Sequence, residues 1–164
     1  MIGKRPKILV GMFAGLIWGV CVLWYGSTLP EPQPGFDVLH PMAVAMFPAG
    51  LVSILMVGRL AQRRFFDDER IDGDPFKSGS GGDIDQRVLT NTIEQIILAL
   101  CIWPLAGGLY GTGVIAALGF NFAVARILFW VGYHISPPLR GLGFAATFYP
   151  TVLAALLCLW KFFA

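Results

Sequence analysis

Apolar positions dominate this chain, and the charged residues fall in a few places only. No Asp, Glu, Lys or Arg occurs from Ile8 to Pro30, from Val38 to Gly58, from Gln95 to Ala125, or from Gly141 to Trp160. A helix that crosses a bilayer needs roughly 20 apolar residues. The first, second and last stretches each suit one crossing. The third is too long for one and contains Pro104-Leu105-Ala106-Gly107-Gly108-Leu109-Tyr110-Gly111, which is turn chemistry. It therefore divides into two helices that run outward past its charged ends. The pattern predicts five spans, near Ile8–Ser27, Val38–Ala61, Asp85–Leu105, Thr112–His134 and Pro137–Phe163. Ser136 is the expected N-cap of the last, with proline at its first helical position.

Composition agrees. Of 164 residues, 56% are hydrophobic and 13% charged; soluble domains carry about 25% charged residues. That excludes a soluble globule, and so much apolar side chain excludes disorder. The net charge of +2 is too small to suggest nucleic acid, and no basic aromatic stripe is present. Lys and Arg in the short loops set orientation. Lys4, Arg5 and Lys7 precede span one, Arg63, Arg64, Arg70 and Lys77 lie between spans two and three, and Arg140 lies between four and five. The opposite side has only Lys161. The N-terminus, the long loop and Arg140 are predicted to be cytoplasmic, with the C-terminus exterior. Span one has the basic start of a signal peptide. Its apolar stretch exceeds a typical h-region and no A-x-A site follows, so it reads as an uncleaved anchor.

Other segments carry little chemistry. The loop Phe65–Gln86, with Asp67-Asp68-Glu69 and Ser78-Gly79-Ser80-Gly81-Gly82, reads as a mobile solvated linker. It lacks the terminal Glu of a calcium loop. Cys21, Cys101 and Cys158 lie inside spans without C-x-x-C or Cys/His pairing, so metal and disulfide readings both fail. They are expected to be small packing residues. His40 suits interfacial anchoring, and His134 closes span four with a titratable ring and no assigned role.

Ionisable groups inside spans are costly and so point to function. Arg87, Glu94 and Arg126 qualify. Arg87, Asn91 and Glu94 form R-x-x-x-N-x-x-E. At 100° per residue, Asn91 and Glu94 lie about 40° and −20° from Arg87, so all three share one helix face. Span four presents Arg126 and Tyr133 on one face, with Gly132 to admit a close neighbour. Span four returns toward the cytoplasm, so the two stripes meet in depth, and Arg140 opens span five at the same membrane face. Singly, Arg87 and Arg140 can be read as snorkelling to headgroups, and Glu94–Arg126 as a pair that fixes helix register. Together, three arginines, one carboxylate, one amide and one phenol converge on one level of one leaflet. Such an excess of cations calls for an anionic ligand bearing carboxylates or phosphates. A ligand ammonium would suit Glu94.

These two motifs, R-x-x-x-N-x-x-E opening one span and Arg126-x-x-Phe129-x-x-Gly132-Tyr133 closing the next, resemble the MAPEG family, membrane-associated proteins in eicosanoid and glutathione metabolism. The resemblance runs from about Leu51 to Ala164, with Arg140 placed as the family's next arginine. It implies an all-α membrane bundle. The family's four-helix core would be spans two to five (residues 38–164, with the polar loop at 62–86). Residues 1–37 would form an extra N-terminal anchor and a short exterior loop. It also implies a homotrimer that binds glutathione as co-substrate between protomers near the cytoplasmic face. On that resemblance Arg87, Asn91 and Glu94 would hold the glutathione backbone, Arg126 and Tyr133 would complete the pocket, and Arg140 would stabilise the thiolate. Arg63-Arg64 resembles the basic end of the family's first helix, which contributes across the protomer interface. The chain departs from the pattern at Phe129 and Gln95, where tyrosines are frequent.

The function so implied is a glutathione-dependent transferase or peroxidase that attacks a lipophilic electrophile or hydroperoxide entering from the bilayer. The alternative is a non-catalytic lipid-binding or scaffold member of the family, which the two lost phenols would suit. A transporter with Glu94–Arg126 as proton relay is a third reading, weakened because Glu94 is the one acidic residue read inside a span.

Overall fold

A computed structural model of the chain describes residues 4–30 and 39–164. Five helices account for nearly all of them: α1 (Lys4–Thr28), α2 (Leu39–Phe65), α3 (Gly81–Tyr110), α4 (Thr112–Ile135) and α5 (Pro137–Phe163). All five are long and apolar enough to cross a membrane, and no strand occurs among the described residues. Most of the predicted loop before span two, residues 31–38, lies outside the described part, as does the side chain of His40.

Two boundaries differ from the pattern. α3 begins at Gly81, four residues before the expected Asp85. Ser80 is its N-cap and accepts a hydrogen bond from Asp83 N at 3.3 Å. The Ser/Gly run expected to be linker therefore supplies a cap that satisfies an otherwise free amide. At its other end α3 runs straight through Pro104 to Tyr110. The break before α4 is a single residue, Gly111, at φ 99° and ψ 156°, a conformation open essentially to glycine alone. Pro104, like Pro48 in α2 and Pro150 in α5, lies inside its helix; the carbonyl that Pro150 leaves free, Ala146 O, accepts from Asn121 Nδ2 of α4 at 2.8 Å. Ser136 does precede α5, but its hydroxyl makes no capping bond. Its carbonyl accepts from Arg140 N at 3.1 Å.

The helices pack through small residues, as expected where lipid removes the hydrophobic drive for helices to associate. One core holds Ala45, Ala49, Ala99 and Ala106 around Trp103, Leu118 and Phe122. Trp103 and Phe122 meet edge to face, 6.1 Å between centroids. A second cluster toward the end bearing Ser136 joins Val52, Met56, Val88 and Phe129. Gly119 lets α4 close on α2, since a Cβ there would stand 2.1 Å from Ala45 O. Gly132 and Gly143 do the same between α4 and α5. A Cβ on Gly132 would stand 2.3 Å from Arg140 N, and one on Gly143 2.3 Å from Phe129 N. The close neighbour admitted by Gly132 is thus the first turn of α5.

Of the three cysteines, only Cys158 packs in the core; Cys21 and Cys101 face outward. The sulfurs sit on helix faces set by the neighbours, which hydropathy alone does not reveal. The segment between α2 and α3 has internal order. Arg64 donates to Asp74 O at 3.1 Å and lies over the Phe76 ring, while Arg70 bonds Asp67 and Glu69. The hydrogen bond that Arg70 donates to Asp67 raises the Arg70 pKa.

Candidate functional site

Arg126 is the centre of the charged stripe. It projects from the inner face of α4 and is completely buried. Both its terminal nitrogens donate to Asn91 Oδ1 of α3, at 3.1 and 3.2 Å. Asn91 in turn donates through Nδ2 to Glu94 Oε2 at 3.0 Å. The expected meeting of the two helix stripes therefore occurs through Asn91, with Glu94 one step removed from the guanidinium. Glu94 itself is exposed on α3. The Nε of Arg126 is buried with no hydrogen-bond partner. Among the described residues, no carboxylate forms an ion pair with Arg126.

An aromatic ring supports this cation. The Arg126 guanidinium carbon stands 4.0 Å from the Phe129 ring centroid, one turn along α4. Phe129 meets Tyr133 edge to face at 5.1 Å, and the Arg140 guanidinium lies 4.8 Å from the Tyr133 ring. Arg126, Phe129, Tyr133 and Arg140 thus form a continuous row, two rings in contact with a cation over each. Each such contact is worth up to about 2 kcal/mol when desolvated. Phe129, read from sequence as a lost phenol, seats Arg126 through its ring face, for which a hydroxyl is unnecessary.

Arg87 stands apart. Its side chain is 59% exposed and pairs with Asp83 of its own helix, 2.9 Å from Nη2 to Oδ2. It shares the face of Asn91 and Glu94 without joining the Arg126 chain. Gln95, the other departure, is buried, with an unpartnered Oε1.

A second charged cluster escaped the sequence reading. Asp85, 2% exposed, accepts from Arg63 Nε at 2.6 Å, Trp130 Nε1 at 2.7 Å and His134 Nε2 at 2.8 Å. One carboxylate thereby ties α2, α3 and α4 together. It gives His134 a partner, and it engages Arg63 within its own chain. It is also a carboxylate buried inside the bundle, whereas Glu94, the one counted from sequence, is exposed. The available signal was an Asp at the edge of a span with an Arg and a His at neighbouring span mouths.

A family model described as MAPEG family matches residues 42–160, beginning ahead of Leu51, where the motif-based resemblance starts. Neither the curated proteins nor the solved structures include a match.

Proposed function

This chain belongs to the MAPEG family and is a multi-pass integral membrane protein, and from that premise we propose that it is a glutathione-dependent transferase or peroxidase. The observation that carries the reading is Arg126, a guanidinium sealed in the bundle with one neutral amide, one aromatic face and a free Nε–H. A buried cation so short of acceptors favours an anion beside it. Glutathione offers two carboxylates for arginines, an ammonium for Glu94 and a thiol. Arg87, Asn91, Glu94, Arg126 and Tyr133 would hold it.

Arg140 would act on the sulfur. A cysteine-type thiol has a pKa of about 8.5 in water. A fixed guanidinium favours the ionised form and lowers that value, so more nucleophile is present at neutral pH. The ring of Tyr133 and the backbone contact with Gly132 hold Arg140 at the start of α5. The co-substrate would be a lipophilic electrophile or hydroperoxide drawn from the bilayer, and the positive-inside pattern puts the site on the cytoplasmic side.

Exposure of Glu94 supports assembly. A carboxylate facing lipid from within a span is costly, and a second copy that covers α3 would remove the cost. We take the assembly to be the homotrimer that the family resemblance implies, with each site closed by a neighbour.

The test is ultraviolet absorbance of purified protein as glutathione is added. Thiolate should form below pH 8, and Arg140→Ala should return the ionisation toward about 8.5. Wild-type protein that binds glutathione without thiolate would exclude the catalytic reading. A non-catalytic lipid-binding role is favoured by one feature, an apolar groove of about 840 Å³ between α1 and α4, lined by residues including Ile17, Trp18, Tyr25, Ala117, Phe120 and Val124. That role predicts lipid binding indifferent to Arg140→Ala and no conjugation across a panel of electrophiles.

A further inference from the structure

α1 lies outside the residues matched by the family model, and the proposed site assigns it no task. Its seat is nevertheless closely fitted. Gly11, Gly15 and Gly19 recur every fourth residue and share one face. A Cβ on Gly11 would stand 2.3 Å from Pro138 O and 2.9 Å from Leu142 N. One on Gly15 would stand 2.3 Å from Ala145 Cβ, and one on Gly19 3.2 Å from Pro150 Cδ. The partners ascend with the glycines, so α1 and α5 run parallel with their backbones nearly touching. From the other side, a Cβ on Gly141 would stand 3.1 Å from Ile8 O.

A polar contact fixes the rotation of α1 about its own axis. Trp18 Nε1 donates to Asn121 Oδ1 at 2.6 Å, and Asn121 Nδ2 donates to Ala146 O at 2.8 Å. Asn121 is buried. Its amide therefore joins α1, α4 and α5 at a depth where an unmatched polar group finds no water.

At its start, α1 presses on Pro138–Leu142. That is the turn bearing Arg140, and its far side is pressed by Gly132 of α4. The first turn of α5 is held between two glycines, Gly11 and Gly132, each of which would clash with it if it bore a side chain. We propose that α1 is a positioning element for Arg140. By closing on the turn through Gly11, it keeps the Arg140 guanidinium over the Tyr133 ring. The proposal rests on the reading of Arg140 as the group that stabilises the thiolate. α1 itself makes no contact with the reacting atoms.

The smallest lever is Gly11→Ala in the full chain, because one methyl must displace the Pro138 carbonyl. Gly58→Ala in α2, where nothing lies within 4 Å, is the matched control. Hydrogen exchange of the amides of residues 139–142 reads the turn directly, and the pH titration of glutathione absorbance reads Arg140. Gly11→Ala should speed exchange at 139–142 severalfold. It should also raise the pH of half-ionisation by about one unit, while the glutathione Kd moves by no more than about twofold, since Arg126, Asn91 and Glu94 lie elsewhere. Gly58→Ala should change none of these. Should Gly11→Ala not yield folded protein, Trp18→Phe removes the pin without adding bulk, and the same shifts are expected in smaller measure. Exchange and titration unchanged in the folded variant would overturn the proposal. If wild-type protein forms no thiolate, the catalytic reading fails, and the exchange measurement still decides whether α1 clamps the turn.

Discussion

Asp85 shows how much one side chain can hold inside a bundle. Its three donors come from positions 22, 45 and 49 residues away, and burial makes each bond count. Asp85→Ala removes the acceptor of a guanidinium, an indole N–H and an imidazole at once; the partly exposed Arg63 can turn to water, so the cost is that of unmade hydrogen bonds, about 1–3 kcal/mol. We expect a loss of that order in denaturation of the detergent-solubilised protein, with Asp85→Asn milder because an acceptor oxygen remains. An Asp85→Ala protein as stable as wild type would show that the tie bears no weight. Arg126 was legible in the sequence because a charge inside an apolar run stands out, and Asn91 because it shares a helix face with Arg87 and Glu94. The Asp85 partners were not, since nothing in local patterning records which distant residue fills a carboxylate's lone pairs. The contact of Phe129 with Arg126 was hidden for a related reason: the missing hydroxyl is visible in the sequence, whereas the ring face under Arg126 exists only in three dimensions. Phe129→Leu keeps the apolar volume and removes that face. It should weaken glutathione binding about twofold to thirtyfold, matching about 0.5–2 kcal/mol for the cation–π contact, as calorimetry would report.

Hydropathy located every helix, because a charge-free stretch of the right length has few alternatives in lipid. It placed helix ends less well. The run Pro104–Gly111 looked like an extended turn, yet one residue makes the whole break, and the proline and two other glycines stay helical. Gly111→Ala forces a side chain into a conformation at φ 99° that costs about 1–3 kcal/mol. The thermal midpoint should fall accordingly, while Gly108→Ala, with nothing within 4 Å, should leave it in place or raise it. An unchanged midpoint for Gly111→Ala would mean the α3–α4 junction can adopt another geometry. The spacing Gly11-x-x-x-Gly15-x-x-x-Gly19 was in plain view as a small-residue helix face. It gave no hint of its partner, because small residues recur on several helices; here α5 answers with Gly141, Ala145, Ala146 and Pro150.

At the level of the molecule, the outer surface is as informative as the core. α2 and α3 present Phe47, Leu51, Ile54, Ile97 and Leu100 outward, with Glu94 among them. A uniformly apolar surface would need only lipid; a carboxylate within it needs protein. Native mass spectrometry should find particles of three 17.9 kDa chains, and single chains that still bind glutathione would refute a shared site. The Trp18–Asn121 bond has a consequence for biogenesis. Its two residues are 103 apart in sequence, and Asn121 leans on Ala146 still further along. A chain inserted from its N-terminus places Trp18 in the bilayer while its acceptor is still unsynthesised. α1 then waits, its indole N–H unanswered, for α4 and α5 to arrive. Closure of the contact that seats α1 therefore comes only after both of those helices have been made.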